Sequence, residues 1–249
     1  MEMRIKILVG VPCYQPYEEF TKSLSAFLQL SSLKYDISCY MVYGKSLVDA
    51  QNDIGEVFIK GDYDYLLLTE DDIWGHTVEM LDDLIAGETD VISIKYFSRH
   101  YPYVVIPMPK GIHKEAGMFQ MNIVGCKDKY ANSSLLGFGM TLIKRKVFEC
   151  LDKPYFRLNK NKDGSERKGY ATDQDFAERV DKCGLGLKGC FAHCLTHRGL
   201  NEQTVTELRD KGLAGTGKFR DYQDFAFQRF IAKRRDEKKS IANLFRTGN

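Results

Sequence analysis

The chain has 249 residues, of which 43% are hydrophobic, and its formal net charge is +2 at pH 7. This length and apolar content suit one large domain with a sizeable core. No apolar run approaches the ~18 residues of a membrane span, and Met1 to Lys6 leads directly into a strand pattern, so neither a transmembrane segment nor a signal peptide is expected. The seven cysteines are scattered without a regular short spacing, which favours reduced thiols and a cytoplasmic location.

Strand and helix patterns alternate over the first hundred residues. Apolar runs or alternating apolar positions predict strands over Ile5–Val11, Ile37–Tyr43, Leu66–Leu68 and Val91–Ile94. Apolar residues at helical spacing predict helices over Tyr17–Leu30, Leu47–Phe58 and Val78–Ile85. Such alternation is typical of a doubly wound α/β sheet with right-handed crossovers.

One stretch, YDYLLLTEDDIW from Tyr63 to Trp74, ends an apolar strand in three consecutive carboxylates. Glu70, Asp71 and Asp72 would follow the carboxyl end of a buried strand, where open α/β sheets bind their ligands. Adjacent carboxylates repel one another, and Mg²⁺ or Mn²⁺ would relieve that repulsion while leaving coordination sites for substrate phosphates. In an extended backbone Glu70 and Asp72 point one way and Asp71 the other. A solvated acidic turn before a helix is the alternative interpretation.

The middle of the chain is less regular. Residues 97–136 are rich in proline, glycine and aromatic residues, which predicts loops and short strands over the sheet edge. Gly137–Ile143 predicts a strand whose two glycines let another group approach the backbone closely. Residues 157–170 have no apolar period and predict a loop.

Two carboxylates open the next predicted helix. Asp173 and Asp175 lie near the start of ATDQDFAERVDKCG, and Gly184 ends the helix. Their carboxylates could serve as complements to the helix dipole or take part in chemistry. A strand over Leu185–Phe191 follows, and near it lies a cluster of Cys183, Cys190, His193, Cys194 and His197. This cluster suggests a structural zinc site as an alternative interpretation, although the spacing of its residues matches no familiar zinc-ligand arrangement.

Four segments, in this order, resemble the nucleotide-sugar glycosyltransferases of the GT-A fold. DAQNDIGEVFIKGDYDYLLLTEDDI is similar to the helix and strand that lead to the Asp-x-Asp motif of this family, and GFGMTLIKRKVFE to the elements that line its sugar pocket. TDQDFAERVDKCGLGL resembles the Glu-Asp helix, and LTHRG the late His-x-Gly element. The resemblance implies a GT-A, Rossmann-like α/β fold with a mixed central sheet flanked by helices over residues 1–199. A helical, basic C-terminal extension over residues 200–249 would pack on it.

The resemblance also implies roles for single residues. The metal, Mn²⁺ or Mg²⁺, would be held by Glu70, Asp72 and His197. Asp173 is the implied catalytic base, with Asp175 as the second candidate. The residues implied in nucleotide-sugar binding are Pro12, Cys13, Tyr14, Asp49, Asn52, Glu70 and Asp71. Those implied in the acceptor and sugar pocket are Trp74, Phe138, Gly139 and Arg198. The chain departs from the family at Glu70, where Asp is usual, and at Gln51, where Arg is usual.

The implied activity is transfer of a sugar from a UDP- or GDP-sugar to a hydroxyl acceptor, with inversion at the anomeric carbon. A metal would stabilise the charge on the leaving diphosphate, and one carboxylate would deprotonate the acceptor.

The C-terminal tail carries a basic cluster, Lys233, Arg234, Arg235, Lys238 and Lys239. It fits either a helix that packs on the domain or a surface for a polyanionic acceptor, such as nucleic acid with a hydroxylated base or a phospholipid-linked glycan.

Two other functions share some of these features. A nucleotidyltransferase could use the same sheet and acidic pair, but its glycine-rich first loop with a basic residue is absent from VPCYQPYEE. A non-catalytic protein that binds a sugar nucleotide or nucleic acid is the other alternative. Metal-dependent hydrolysis of several sugar nucleotides would separate the enzyme from the binding protein.

Overall fold

The computed structural model describes residues 4–97, 105–109, 128–158 and 172–198. The helices are α1 (Glu18–Ser31), α2 (Leu47–Lys60), α3 (Val78–Ala86), α4 (Arg145–Cys150) and α5 (Thr172–Lys182). The strands are β1 (Lys6–Cys13), β2 (Asp36–Tyr43), β3 (Tyr65–Leu68), β4 (Ile73–Trp74), β5 (Val91–Phe97), β6 (Val105–Ile106), β7 (Met108–Pro109), β8 (Tyr130–Leu135), β9 (Thr141–Lys144), β10 (Leu187–Cys194) and β11 (Thr196–His197). The loop predicted over residues 157–170 lies almost entirely, and the basic extension over 200–249 wholly, outside the described residues.

The main sheet is mixed. Within the described residues seven strands follow the order β2-β1-β3-β9-β5-β10-β8, and the two-residue strands β7 and β6 pair with β8 and β5. β1 pairs in parallel with β2 and β3, whereas β9 runs antiparallel between β3 and β5. A mixed α/β sheet of Rossmann-like type, flanked by helices, was predicted and is confirmed. Because the strand order reverses between β1 and β3, a ligand crevice is expected outside their carboxyl ends.

Helices cover both faces of this sheet, and each face has its own core. α1 and α3 pack on one face, where Phe20 and Leu84 join Leu67. α2, α4 and α5 pack on the other, where Leu66 and Leu68 are buried. Both faces of β3 are therefore apolar, which explains why its sequence is a continuous apolar run. None of the described helices is long and apolar enough to cross a membrane.

Polar side chains fix both ends of α2. At its N-terminus the Ser46 hydroxyl accepts the N–H of Asp49 at 3.2 Å. At its C-terminus the Arg145 guanidinium donates to the carbonyl of Ile59 at 3.1 Å and to that of Tyr63, just beyond the helix, at 3.0 Å. These bonds satisfy backbone groups that a helix leaves unpaired at its ends. Because α2 follows β2, which runs parallel to β1, the N-terminal turn of α2 lies at the end of the sheet where β1 also ends.

One strand begins later than the sequence pattern predicts. The strand expected over Gly137–Ile143 begins at Thr141, and residues 138–139 form a turn before it. The carbonyl of Gly137 accepts the hydroxyl of Thr141 and, at 2.8 Å, that of Ser93 on β5. Because these side-chain hydroxyls satisfy the buried carbonyl, it does not require a backbone hydrogen bond from a neighbouring strand, and the turn is stable in the interior.

Candidate active site

A cleft of about 500 Å³ opens at the carboxyl ends of β1 and β3. Its walls are the loop after β1, the turn after β3, the N-terminal end of α2 and the residue after β11. The described residues that line it are Pro12, Cys13, Tyr14, Gln15, Tyr17, Lys45, Ser46, Leu47, Ala50, Glu70, Asp71, Asp72 and Arg198. The cleft therefore lies where an open α/β sheet reverses its strand order, which is the usual ligand position in such folds.

The three consecutive carboxylates have different surroundings. The chain turns at Asp71 and Asp72, so the extended geometry considered from the sequence does not occur. Asp71 Oδ2 accepts the backbone N–H groups of Tyr14 and Gln15, each at 2.8 Å. Asp71 therefore fixes the loop after β1 against the turn after β3. Glu70 is half-buried and Asp72 is buried, and both line the cleft.

Asp72 faces His197 across the small sheet formed by β4 and β11. In this antiparallel pair His197 lies opposite Ile73, which brings the late histidine beside the acidic turn. Asp72 Oδ2 and His197 Nε2 are 3.6 Å apart, and the residues are 8% and 7% exposed. His197 Nδ1 donates to the carbonyl of Phe97 at 2.8 Å. That bond places a proton on Nδ1 and turns Nε2 towards the carboxylate.

A histidine nitrogen beside a carboxylate is a ligand pair that can hold a cation. His197 Nε2 is buried and has no hydrogen-bond partner among the described residues, and a carbonyl behind Nδ1 is the support that metal-binding histidines usually have. Across residues 4–97, 105–109, 128–158 and 172–198, no three His, Cys, Asp or Glu side chains are grouped so that they could hold a metal ion. Glu70 thus does not complete a three-residue site with Asp72 and His197. The cysteine and histidine cluster considered for zinc forms no such site either.

The carboxylates at the start of α5 have contrasting environments. Burial raises the pKa of Asp173 from its ordinary value of 3.8 to about 6, although its own N–H and that of Gln174, which donates at 2.8 Å, oppose the rise. Desolvation therefore outweighs the helix N-terminus, which on its own would favour the ionised form of this group. Asp175 is 4% exposed, and its Oδ2 lies 3.1 Å from Arg157 Nε and 3.6 Å from Arg179 Nη1. Asp175 neutralises a buried arginine, whereas Asp173 has the environment of a titratable base.

The phenol of Tyr96 is buried on β5. Burial, followed by the charges of Glu70, Asp173 and Asp72, raises its pKa well above the ordinary value.

The residues predicted to form the sugar and acceptor pocket divide between the cleft wall and the core. Arg198 lines the cleft, and its guanidinium carbon lies 4.7 Å from the centre of the Tyr17 ring. Trp74 is half-buried in β4. Phe138 is 1% exposed and packs edge to face on Phe156. Phe138 belongs to the aromatic core and does not line the described cleft.

Two residues predicted to contact the nucleotide have structural partners instead. Asn52 Nδ2 donates to the carbonyl of Phe156 at 2.7 Å, and its Oδ1 accepts the N–H of the same residue at 3.1 Å. Asp49 and Ser46 hydrogen bond reciprocally at the start of α2. Neither Asp49 nor Asn52 lines the cleft formed by the described residues. Cys13 does line it, and burial raises the pKa of its thiol to about 11, so the thiol stays protonated at neutral pH.

A buried polar network behind the acidic turn was missed by the sequence analysis. His76 Nε2 lies 2.7 Å from the hydroxyl of Thr69, which in turn donates to the carbonyl of Gly139 at 2.6 Å. His76 Nδ1 accepts from the Ser23 hydroxyl at 3.2 Å, and the Ser23 oxygen accepts the N–H of Gly75 at 2.9 Å. Burial lowers the pKa of His76 to about 4, so the ring is neutral. The network ties the acidic turn to α1 and to the Gly139 turn, and its one sequence signal is a histidine shortly after the acidic run.

Comparisons with known proteins find distant structural similarities. No protein-family model matches the chain, and no curated protein matches it. A197 from STIV is similar over 78% of this chain and 85% of its own, with 14% identity and a TM-score of 0.49. A "putative nucleotide-diphospho-sugar transferase" from Desulfovibrio desulfuricans G20 is similar over 92% and 96%, with 8% identity and a TM-score of 0.43. A mycobacterial protein is similar over 81% and 70%, with 12% identity and a TM-score of 0.46. At TM-scores below 0.5 these similarities assign no activity to the chain.

Proposed function

We propose that the protein is a metal-dependent glycosyltransferase of the GT-A type, which moves a sugar from a UDP- or GDP-sugar to a hydroxyl acceptor. The observation that carries the proposal is the buried pair Asp72 and His197, whose Oδ2 and Nε2 atoms lie 3.6 Å apart beside the cleft. The cleft volume of about 500 Å³ falls within the roughly 300–1,000 Å³ of small-molecule sites.

The donor set suits a cation that binds together with a diphosphate. Asp72 and His197 would hold Mn²⁺ or Mg²⁺, with Glu70 at the edge of the site. His197 Nε2 supports the fit of a metal ion here, because it is buried and has no hydrogen-bond partner among the described residues. Ions of this kind commonly use one or two protein ligands and take the rest from substrate phosphates and water, so a two-residue site is sufficient. When bound, the ion neutralises the charge that develops on the leaving diphosphate.

Groups around the cleft favour an anionic ligand with a flat base. The guanidinium of Arg198 lies on one wall, and the start of α2 at Ser46 directs the positive end of the helix dipole into the cleft. On the opposite wall Asp71 holds the loop after β1 through two backbone bonds. The side chain of Tyr14 on this loop is 89% exposed, and it offers an aromatic face to the nucleobase.

Asp173 would accept the proton of the acceptor hydroxyl. A general base works best when its pKa lies near the operating pH, and burial raises that of Asp173 to about 6. At pH 7.5 the group is mostly ionised and still basic enough to take a proton. A base of this kind on the face opposite the diphosphate gives inversion at the anomeric carbon.

Release of nucleoside diphosphate from a panel of UDP- and GDP-sugars tests the proposal. The wild-type protein should release the diphosphate with Mn²⁺ and stop when a chelator is added, and Asp72→Asn should abolish release. Asp62→Asn is the matched control, because its side chain is 95% exposed beside Lys6 at the opposite end of β1. Release that needs no metal, or full activity in Asp72→Asn, would contradict the proposal.

A further inference from the structure

The end of β5 supports His197 from two directions. The carbonyl of Phe97 accepts the Nδ1 proton at 2.8 Å. The preceding side chain, Tyr96, is 3% exposed and packs edge to face on the imidazole, with ring centroids 5.5 Å apart and ring planes at 89°. An edge-to-face contact of this kind restricts the orientation of both rings. The imidazole is therefore held by a backbone bond and by an aromatic ring from adjacent residues.

The turn before β9 is shaped to receive the Tyr96 phenol. A Cβ atom at Gly137 would lie 1.9 Å from the Tyr96 hydroxyl oxygen, and one at Gly139 would lie 2.8 Å from a ring carbon. No side chain can be placed at such distances without displacing the ring. The close approach predicted for these two glycines thus has an identified partner, and the glycines fix the position of the phenol.

We propose that Tyr96 is a positioning residue of this site: its ring, fixed by the turn at Gly137 and Gly139 and packed on the imidazole, sets the plane of His197. The kinetic consequence of this role rests on the proposed function. The effect on His197 does not, because it concerns the geometry of the protein without any substrate.

Histidine-ring NMR of the full chain tests the effect on His197. In the wild-type protein His197 should be the Nδ1–H tautomer, with ring protons shifted by the nearby phenol. In Tyr96→Leu the ring-current shift should disappear and the tautomer signals should broaden or mix, whereas Tyr96→Phe should retain both features. His197 signals that are the same in Tyr96→Leu and in the wild type would overturn the proposal.

Steady-state kinetics test the role of the ring in transfer. In Tyr96→Leu, kcat should fall about tenfold or more because the imidazole loses its fixed orientation, whereas Tyr96→Phe, which keeps the ring, should transfer at nearly the wild-type rate. Tyr35→Leu is the matched control, since it removes a buried phenol just before Asp36, which pairs with Lys6 at the other end of β1, and its kcat should not change. An unchanged kcat in Tyr96→Leu, or the same loss of kcat in Tyr96→Phe as in Tyr96→Leu, would overturn the proposal. If the wild-type protein binds no donor, the proposed function fails, and the NMR result still decides whether Tyr96 positions His197.

Discussion

Replacing Asp173 with asparagine should make the folded protein more stable at neutral pH. Burial raises the pKa of this carboxyl from 3.8 to about 6, so the native state holds an ionised group at a cost that the unfolded chain does not have. A rise of that size corresponds to about 3 kcal/mol in the free energy of unfolding. Because part of the side chain remains accessible to solvent, the expected gain is about 1–2 kcal/mol. For a chain of this length the gain corresponds to about 2–8 °C in Tm.

The gain should depend on pH in one direction. Well below pH 3.8 Asp173 is protonated in both states and has no effect on stability. As the pH rises from there to about 6, the unfolded chain releases its proton first, so the native state is progressively disfavoured. The free energy of unfolding of Asp173→Asn should therefore nearly equal that of the wild type at low pH and exceed it fully at pH 7.5. Chemical denaturation at several pH values measures this difference.

Asp175→Asn is the matched control on the same helix. The Asp175 carboxylate pairs with Arg157 and with Arg179, which is 9% exposed. Its loss leaves a buried guanidinium uncompensated, so the free energy of unfolding of the variant should fall by about 2–4 kcal/mol.

Asp173→Asn should also slow transfer by about 10² to 10⁴ with donor affinity nearly unchanged. A loss of stability in Asp173→Asn at pH 7.5, or the same gain at all pH values, would refute the burial argument.

Three other changes test the surrounding structure. His76→Gln should cost about 1–3 kcal/mol at neutral pH by breaking a buried network. Between pH 6.5 and 4 the wild-type protein should lose stability, because His76 in the native state, with a pKa of about 4, does not take up a proton that the unfolded chain binds. The free energy of unfolding of His76→Gln should fall less over this range, and equal pH profiles for the two proteins would count against the burial of His76. Gly139→Ala places a Cβ 2.5 Å from an Ile73 side-chain atom, so calorimetry should show lower Tm and weaker donor binding together, and a normal Tm would contradict the close contact. Removal of residues 200–249 should abolish binding to DNA or anionic vesicles at low salt, and affinity of the full chain that does not fall steeply with salt would exclude a polyanion surface.

The order of helices and strands could be predicted because apolar periodicity and turn residues agree along the first half of the chain. The helix predicted over Tyr17–Leu30 forms as Glu18–Ser31, and the run Leu66–Leu68 is a strand buried on both faces. The start of β9 was misplaced for a physical reason. The Gly137 carbonyl is satisfied by a hydroxyl from β5, and a bond between distant segments leaves no trace in the local pattern.

The acidic turn and the late histidine could be anticipated from residue type and order, but the roles of single residues depend on contacts made through folding. Asp173 and Asp175 look equivalent in the sequence, and their partners distinguish them. Asn52 matches a binding residue of the resembled family, yet its amide is bonded to the backbone of Phe156. Tyr96 lies well beyond the acidic run in the chain, so its contact with His197 could not be predicted.

Calorimetry of UDP and GDP binding to the wild-type protein and to Asp72→Asn, with and without Mn²⁺, tests the central claim most directly. The proposed site predicts that Mn²⁺ strengthens nucleotide binding to the wild-type protein and that this dependence disappears in Asp72→Asn, while the Tm of the variant stays close to that of the wild type because asparagine has the same shape as aspartate. The same Mn²⁺-dependent affinity in both proteins, or no binding of either nucleotide to the wild type, would contradict it.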